Sequence, residues 1–401
     1  MKAKSLDDAF DEPKDDKKPK KKAGPTPDQI RLEQIRKSLG VSDDTVRLAD
    51  QHIAIKNVIS TGLPDLDRIL TPMLWESSGI GGIPRGFVAE FFGPYSGGKS
   101  SLGMKLSATV TKGGGYVLWF DAEGSYVPEW AARHGVDNGK VIIVDAGKSG
   151  EFYLEQIESA ATKGQVDLIV IDSVTAMTPK EVLETNLEKE ARVGAAAKMM
   201  ARAMPRIQTA AKKGNVAIVF INQIRQKVGV MYGNPETTPG GESLKFYASL
   251  RLRLSQVGSR KDRGIMKGED EVGIRTNVQV VKSRFGPPFR ETIMPIYFSD
   301  AKPHPLDTII DAALSVKAIA SRSKRLDNGE IVQTFKFGEV KVEGVDEFKA
   351  QLNKNAIKEL AKLATEGKVL FDGEVQQYLK SLDEDPTETS NEEAIGPDKA
   401  N

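Results

Sequence analysis

A glycine-rich stretch, FFGPYSGGKSS, constrains the fold of this 401-residue chain more than any other feature. After an apolar run, Gly93, Gly98, Lys99 and Ser100 match the pattern GxxxxGK[ST] of a phosphate-binding loop. In such a loop, backbone N–H groups surround a polyphosphate, the lysine reaches its β- and γ-phosphates, and the hydroxyl binds Mg²⁺. The alternative is a plain glycine-rich turn, which the preceding strand-like run disfavours. The predicted nucleotide-binding residues in the loop are Gly93, Pro94, Tyr95, Ser96, Gly97, Gly98, Lys99, Ser100 and Ser101.

The composition excludes several classes of protein. The chain has no cysteine and three histidines, so disulfides and thiolate metal sites are excluded and a structural zinc site is disfavoured. A hydrophobic content of 39% suffices for a large core with one or two smaller domains. Because no run of about 18 apolar residues occurs and the N-terminus is charged, we expect no membrane span, no secretory signal and a cytoplasmic location.

Charge is distributed unevenly along the chain, whose formal net charge is +1. Residues 382–401 carry seven acidic residues against Lys399, a net charge of −6 that leaves +7 on the rest. We predict an acidic disordered tail there, which serves solubility or competes with a polyanion for the basic body. Residues 1–25, with the run KKPKKK, are predicted to form a disordered charged arm.

Residues 26–60 are predicted to form an N-terminal helix and strand. From Pro27 onward, apolar residues recur at roughly helical spacing until Gly40 supplies a stop, and Ile53 to Ile59 is a short strand candidate. This segment is long enough to act as an oligomerisation arm on a neighbouring subunit. Packing on its own domain fits the periodicity equally well.

Residues 61–300 are predicted to form a mostly parallel α/β core. Continuous apolar runs alternate with helix-like stretches in the rhythm of βαβ units, as expected for strands covered by helices on both faces. The strand-like runs after the phosphate-binding loop are 116–121, 141–145, 168–172 and 217–222, and the helix-like stretches are 131–135, 151–163 and 191–213.

Polar side chains follow three of these strand-like runs. Ligands of parallel α/β sheets bind at the carboxyl ends of the strands, which is where these side chains lie in the sequence. Asp172 suits a magnesium carboxylate, although an Asp at a strand end also caps helices. Glu123 is the best-placed carboxylate to orient or deprotonate a water that attacks a γ-phosphate, and Asp121 is its competitor. Gln223 carries an amide that can hydrogen-bond a γ-phosphate.

Several long motifs occur together in an order and spacing that resemble one family. They are GPYSGGKSS, FDAEG from Phe120, VIDSVTAMTPK from Val170, and the stretch from Ile221 to Leu252 with NPETTPGG and FYA. Over about Ile59 to Tyr297 the chain resembles the RecA recombinases of bacteria and their phages. The resemblance implies an α/β protein. Its RecA-like P-loop core has a mostly parallel central sheet covered by helices, with an N-terminal helical arm and a small C-terminal α/β domain.

The resemblance also implies an activity. It is that of a DNA-dependent ATPase that forms a helical filament on single-stranded DNA and pairs it with homologous duplex, exchanging strands in recombination and repair. The implied cofactors are ATP and Mg²⁺, and the implied partners are single- and double-stranded DNA, further copies of the chain, a single-strand-binding protein and loading mediators. One alternative is a ring-forming, helicase-like motor, which should lack the NPETTPGG loop. Another is a non-hydrolysing DNA-binding filament, against which Glu123 argues.

Residue roles follow from the matching motif positions. Lys99 and Ser100 correspond to the phosphate and magnesium ligands, Asp172 to the second magnesium ligand, Glu123 to the catalytic base and Gln223 to the γ-phosphate sensor. Trp130 falls where the family places an aromatic ring against adenine, although a core tryptophan is the alternative. The residues implied to reach a neighbouring subunit are Lys245, Phe246, Lys282 and Arg284, of which Lys282 and Arg284 act on its nucleotide.

Two loops correspond to the DNA-binding loops of the family, at 181–194 and 223–244. The second is rich in glycine, proline and threonine and carries cations and an aromatic residue, which suit phosphates and bases respectively. The implied DNA-binding residues are Arg192, Gly194, Arg206, Arg225, Lys227, Met231, Tyr232, Gly233, Asn234, Gly240 and Gly241.

Two regions depart from the family pattern. Residues Thr71 to Gly82 look like an insertion before the phosphate-loop strand. Residues 301–381 are predicted to form the small C-terminal domain, with helical spacing at 306–314 and 345–363 and a hairpin-like alternation at 331–342. In the family this region helps to capture duplex DNA.

Overall fold

The computed structural model describes residues 26–41, 46, 55, 57–184, 194–226, 236–258, 263–267, 270–298, 305–325, 331–367, 369 and 373–384. The chain divides into two units, Met1–Ala54 and Ile55–Asn401, which we describe separately. The predicted arm at 1–25 and the predicted tail beyond Glu384 lie outside the described residues.

The elements are numbered in chain order. The helices are α1 (Pro27–Leu39), α2 (Pro64–Leu70), α3 (Pro72–Ser78), α4 (Lys99–Lys112), α5 (Pro128–Arg133), α6 (Gly150–Lys163), α7 (Lys180–Leu183), α8 (Ala195–Gly214), α9 (Glu242–Tyr247), α10 (Pro305–Ser315), α11 (Val345–Gln351), α12 (Lys354–Glu366) and α13 (Gly373–Glu384). The strands are β1 (Val58–Ile59), β2 (Ile83–Pro84), β3 (Val88–Gly93), β4 (Val117–Asp121), β5 (Val141–Val144), β6 (Leu168–Asp172), β7 (Ala217–Gln223), β8 (Arg225–Gln226), β9 (Glu236–Thr237), β10 (Leu250–Gln256), β11 (Gly264–Lys267), β12 (Asp270–Ser283), β13 (Glu291–Tyr297), β14 (Ala320–Arg325), β15 (Ile331–Phe337) and β16 (Val340–Glu343).

Helix α1 is the described secondary structure of the first unit, and local signals define both of its ends. The Thr26 hydroxyl accepts a hydrogen bond from the Gln29 backbone while the Gln29 side chain accepts one from the Thr26 backbone, which forms a capping box. Gly40 ends the helix with a left-handed φ of 63°. The predicted helix and its stop are confirmed.

A nine-stranded sheet organises the second unit. Its order is β11-β12-β10-β3-β7-β6-β4-β5, and β13 also pairs with β12. The six strands from β10 to β5 run parallel, whereas β11, β12 and β13 form an antiparallel extension at one edge. The predicted mostly parallel sheet is confirmed, and the antiparallel extension was not predicted.

Two apolar cores cover the two faces of this sheet. Alternate residues of one strand point to opposite faces, so Phe91 belongs to the core under α4 and Val88 to the core under α6 and α8. On β4, Trp119 and Phe120 divide in the same way, and both are buried. This double burial explains why the parallel strands are continuous apolar runs in the sequence.

The three helices predicted in the core are present, but most of their first and last residues differ from the predicted ones. Helix α5 covers Pro128–Arg133 rather than 131–135, because Pro128 occupies the first turn, where a proline is favourable. Helix α8 is described from Ala195, after Gly194 in the left-handed conformation. The first part of the predicted 191–213 helix lies outside the described residues.

The C-terminal region has its own core, and a second, smaller apolar cluster of this region contacts the segment Thr71 to Gly82. Residues of α10, β15, α11 and α12, including Ile309, Phe335 and Phe348, form the separate core. The predicted helix at 345–363 is wrong in one respect. It is two helices, because Asn353 caps α12 by accepting a hydrogen bond from the Ala356 backbone.

The segment Thr71 to Gly82 contains helix α3, whose Trp75 packs against residues of the C-terminal region. The buried residues there are Ala312, Ala364 and Val369. At the other end of α3, Pro72 lies so close to Gly286 that a Cβ on this glycine would come within 2.4 Å of the proline ring. The segment therefore contacts both the turn after β12 and the C-terminal region. None of the described helices is long and apolar enough to cross a membrane.

A buried carboxyl group in the middle of α2, that of Asp67, provides a test of the fold. Burial raises the pKa of Asp67 from its ordinary value of 3.8 to about 7, although hydrogen bonds from Ser60 and Thr61 oppose the shift. The folded state therefore holds a proton that the unfolded state releases above pH 4. The stabilising contribution of this proton is present below pH 4 and is lost as the pH rises toward 7, at about 1.4 kcal/mol per pH unit.

We expect Asp67→Asn to remove this pH dependence, because an amide keeps the shape and cannot titrate. Urea unfolding at several pH values between 4 and 8 measures the free energy of unfolding of both proteins. The wild type should lose stability relative to the variant as the pH rises through this window. Two parallel profiles would contradict the assignment.

Candidate nucleotide and DNA site

The phosphate-binding loop joins β3 to α4, and its glycines are required by close packing. A Cβ on Gly93 would lie 1.9 Å from the Leu254 carbonyl oxygen of β10. A Cβ on Gly98 would lie 2.5 Å from the Ile296 side chain of β13, and its φ of 82° is left-handed. The loop is therefore fixed against the antiparallel side of the sheet, at the N-terminus of a 14-residue helix.

Lys99 is held inside this loop. Its ammonium donates hydrogen bonds to the carbonyl oxygens of Gly93, at 3.2 Å, and Pro94, at 2.6 Å. Burial lowers the pKa of Lys99, and the charges of Asp172 and Glu123 oppose this shift. A polyphosphate at the loop would supply the negative charge that this buried cation lacks.

Ser100 and Asp172 present oxygen atoms suited to magnesium. The Ser100 hydroxyl donates to Asp172 Oδ2 at 2.6 Å. Burial raises the pKa of Asp172 to about 6; the Ser100 hydrogen bond opposes the shift, and the charges of Glu123 and Asp121 add to it. A hydroxyl and a carboxylate fit Mg²⁺, which prefers oxygen ligands. The described residues contain no cluster of three or more His, Cys, Asp or Glu placed to hold a metal, so phosphates and waters would complete the coordination.

Glu123 lies beside this pair and joins the ends of three strands. Its Oε1 accepts hydrogen bonds from the Ser173 hydroxyl and, at 3.2 Å, from the Gln223 amide, and its backbone N–H donates to the Asp172 carbonyl at 3.2 Å. The side chain is exposed, as a group that meets a substrate water must be. The competitor Asp121 is buried and accepts from the Ser125 and Tyr126 backbones, so it holds the turn after β4.

Lys282 and Arg284 form a second cluster with α9. The Lys282 ammonium donates to the carbonyl oxygens of Lys245, at 2.7 Å, and Phe246, at 2.8 Å, and Arg284 donates to Phe246 O at 3.3 Å. The Phe246 side chain is 70% exposed between these cations. Burial lowers the pKa of Lys282, and the charges of Arg284 and Arg251 lower it further. The structure thus brings together the four residues implied to reach a neighbouring subunit.

Two further predicted nucleotide-binding residues, Trp130 and Tyr95, make no described hydrogen bond with the other site residues. Trp130 lies on α5, partly buried against the core under α4, with its ring 4.7 Å from that of His134. Tyr95 is 86% exposed on the phosphate-binding loop. Part of the Trp130 side chain therefore packs in the core, as the alternative interpretation expected.

About half of the implied DNA-binding residues are described. Gly194 precedes α8 and Arg225 is exposed on β8, where β8 and β9 pair at the base of the second loop. Gly240 and Gly241 both have left-handed φ values. Arg206 pairs with Glu158 of α6 at 2.8 Å, about 18 Å along α8 from Gly194. Those outside the described residues are Arg192, Lys227, Met231, Tyr232, Gly233 and Asn234.

A buried polar network at the base of the second loop was not predicted. Glu90 of β3 is fully buried and accepts hydrogen bonds from Arg251 of β10 and Asn222 of β7. Asn222 also donates to the Pro239 carbonyl in the loop. A signal existed in the sequence, since Glu90 is a charged residue inside the apolar run FVAEFF.

The chain is similar in sequence to a known family of proteins. The family model of the RecA N-terminal domain matches residues 29–302. A protein named RecA from Thermus aquaticus is 40% identical over 299 residues, which cover 75% of this chain and 83% of that protein. RecA from Acinetobacter baumannii is 38% identical over 286 residues, covering 71% and 77%.

Among solved structures, a RadB recombinase is similar to this chain over 61% of this chain and 97% of its own chain, at 20% identity and a TM-score of 0.43. The family model spans more than half of the chain, and the relatives share well over 30% identity across most of their length. The chain belongs to the RecA family, whose members are ATP-dependent DNA recombinases and DNA-dependent ATPases.

Proposed function

We propose that this recombinase binds ATP with Mg²⁺ at the phosphate-binding loop and hydrolyses it with Glu123 as the base. One observation carries the proposal. Neighbouring strands β3, β7, β6 and β4 end at one edge of the sheet, where Ser100, Asp172, Glu123 and Gln223 form one hydrogen-bonded cluster. Lys99 is adjacent to Ser100 in the chain and is held by the Gly93 and Pro94 carbonyls, and the charges of Asp172 and Glu123 act on it. Ligands of parallel sheets bind at this edge.

Each side chain has a role that its contacts support. Mg²⁺, when bound, neutralises phosphate charge, and Ser100 and Asp172 hold it. Lys99 stabilises negative charge on the phosphates, which grows on the β–γ bridging oxygen as that bond breaks. Glu123 orients the attacking water and takes its proton, and Gln223, which shares a hydrogen bond with Glu123, responds to the γ-phosphate.

We further propose that the site is completed by a second copy of the chain. Lys282 and Arg284 make their described side-chain hydrogen bonds with the carbonyl oxygens of Lys245 and Phe246 in α9, and the Phe246 side chain is exposed. Two cations next to an exposed aromatic ring suit a phosphate and an apolar contact on a neighbouring subunit. Repetition of such a head-to-tail contact builds a helical filament.

The second loop and residues 301–381 are proposed to bind single-stranded and duplex DNA respectively, with residues 26–60 as the oligomerisation arm. A single-strand-binding protein and loading mediators are proposed partners in the cytoplasm. Electron microscopy with single-stranded DNA and a slowly hydrolysed ATP analogue tests the assembly. A helical filament supports the proposal, and a closed ring would overturn it in favour of a helicase-like motor.

We expect Lys99→Ala to abolish tight ATP binding and hydrolysis together, because the ammonium interacts with phosphate charge in both the ground and transition states. Equilibrium binding of a labelled ATP analogue and single-strand-stimulated turnover measure the two effects. Lys112→Ala, at the exposed end of the same helix, is the control and should bind ATP normally. Near-normal turnover of Lys99→Ala would contradict the loop assignment.

Glu123→Gln should slow hydrolysis by a factor of about 10² or more while leaving ATP binding and filament formation in place. The amide oxygen keeps the hydrogen bonds from Ser173 and Gln223 but cannot take a proton. Single-turnover hydrolysis in preformed filaments measures the rate. The control is Glu129→Gln, an exposed carboxylate on α5. Loss of ATP binding in Glu123→Gln would instead assign a structural role.

A mixing experiment tests the shared site. Replacing both Lys282 and Arg284 with Ala should leave ATP binding to the monomer intact and abolish DNA-stimulated hydrolysis. Filaments assembled from this double variant and Lys99→Ala should regain part of the activity, since an intact loop can then face an intact pair of cations. Absence of any regain at every mixing ratio counts against a site between subunits.

A further inference from the structure

We propose that Glu90 and Asn222 are positioning residues that link Gln223, the first residue of the second loop (223–244), to Pro239 near the other end of that loop. The proposal rests on the proposed function, because it names the contacts through which ATP and DNA influence each other. Neither residue touches the phosphate-binding loop in the hydrogen bonds described for it; each acts through Gln223 and the loop.

Glu90 uses its two carboxylate oxygens to connect three adjacent strands. Its Oε2 accepts from Arg251 Nε of β10 at 2.6 Å, and its Oε1 accepts from Asn222 Nδ2 of β7 at 3.0 Å. Glu90 and Arg251 are direct partners in the parallel register, and the Arg251 guanidinium also lies 4.5 Å from the centre of the Phe92 ring. A buried ion pair is weak evidence for stability, since apolar side chains of similar volume often replace it without loss. Its geometry therefore points to a positioning role.

Asn222 uses every hydrogen-bonding group of its amide. Besides Glu90, its Nδ2 donates to the Pro239 carbonyl at 3.1 Å, and its Oδ1 accepts from the Gln223 backbone N–H at 3.0 Å. The side chain is fully buried, so water cannot replace any of these partners. One planar group thus fixes the start of the loop at Gln223 and its end at Pro239 relative to each other.

The Gln223 side chain connects this link to the nucleotide site, because its amide donates to Glu123 Oε1 at 3.2 Å. Where the Gln223 backbone moves with its side chain toward a γ-phosphate, the Asn222 amide is bonded to that backbone, so either Pro239 follows or a buried hydrogen bond breaks. Two ligands that bias one element are coupled, and the coupling of their binding free energies is reciprocal. The contact between Asn222 and Pro239 is therefore the step that transmits ATP binding to the loop.

A second tie at the base of the loop supplies a matched control. Glu236 forms a bidentate pair with Arg253 at 2.9 and 3.2 Å, on the same face of β10 as Arg251. This pair connects the second loop to β10 and does not involve the Asn222 amide. If general tightness of the loop base mattered, breaking either tie would have the same effect.

The experiment measures a coupling factor, defined as the ratio of single-stranded DNA affinities with and without a slowly hydrolysed ATP analogue. Asn222→Asp is nearly isosteric and carries at most one donor, a proton shared with the neighbouring Glu90 carboxylate, so the hydrogen bond to Pro239 is lost. We expect its coupling factor to fall about tenfold or to reach one, within the usual range of such couplings. Glu236→Gln should stay within about threefold of the wild type on the same scale. Equal losses in both variants, or an unchanged factor in Asn222→Asp, would overturn the proposal.

A double variant separates positioning from stability. In Glu90→Gln with Asn222→Asp, the introduced amide can donate to the introduced carboxylate while its carbonyl accepts from Arg251, so the link between strands is restored with reversed polarity. The introduced carboxylate still cannot donate to Pro239. The melting temperature should therefore recover relative to Asn222→Asp, whereas the coupling factor should stay low. Recovery of both would show a merely structural role. The double variant also carries the test if Asn222→Asp alone fails to fold.

Two further proteins distinguish failure of this proposal from failure of the proposed function. The wild type should show a coupling factor well above one, and Gln223→Ala should lose it. If the wild type shows none, the ATP–DNA switch itself is absent. If Gln223→Ala uncouples and Asn222→Asp does not, the proposed function stands and the positioning role of Asn222 is wrong.

Discussion

The contact between the phosphate-binding loop and β10 is the constraint on which the site depends. Gly93 approaches the Leu254 carbonyl so closely that no side chain fits between them, and Gly98 meets Ile296 of β13 in the same way. The loop is thereby fixed to the antiparallel extension of the sheet as well as to the strand that precedes it. The N-terminus of α4 and Lys99 acquire their positions from this arrangement, and Ser100 then meets Asp172 at the end of β6.

Most of the candidate site could be predicted from the sequence because its signals are local. A motif with fixed spacing predicted the phosphate-binding loop. Polar residues after continuous apolar runs indicated Glu123, Asp172 and Gln223, and the structure brings these three residues together. Glu90 was not predicted, because its partners Asn222 and Arg251 lie 132 and 161 positions away in the chain. No local pattern shows such a pairing. The alternation LRLRL in β10 indicates a two-faced strand but not what the arginines bind.

Burial of charge shapes the chemistry of this edge. Asp172 is buried enough that its pKa is raised to about 6, and Lys99 is buried enough that its pKa is lowered. Each group is thus destabilised in the charged form that the proposed binding of Mg·ATP requires, and such a ligand would restore that form. Binding of the proposed nucleotide would favour both ionised groups, so its affinity should fall as the pH drops through about 6, where Asp172 gains a proton.

The packing of Trp75 against Ala312, Ala364 and Val369 bears on how shortened versions of this protein behave. A chain cut before α10 would leave an indole ring and the apolar side of α3 in water, beside the turn that carries Arg284. Loss of activity on such a cut is then not a measure of duplex capture by the missing part. A truncation that replaces Trp75 with a polar residue at the same time separates the two causes.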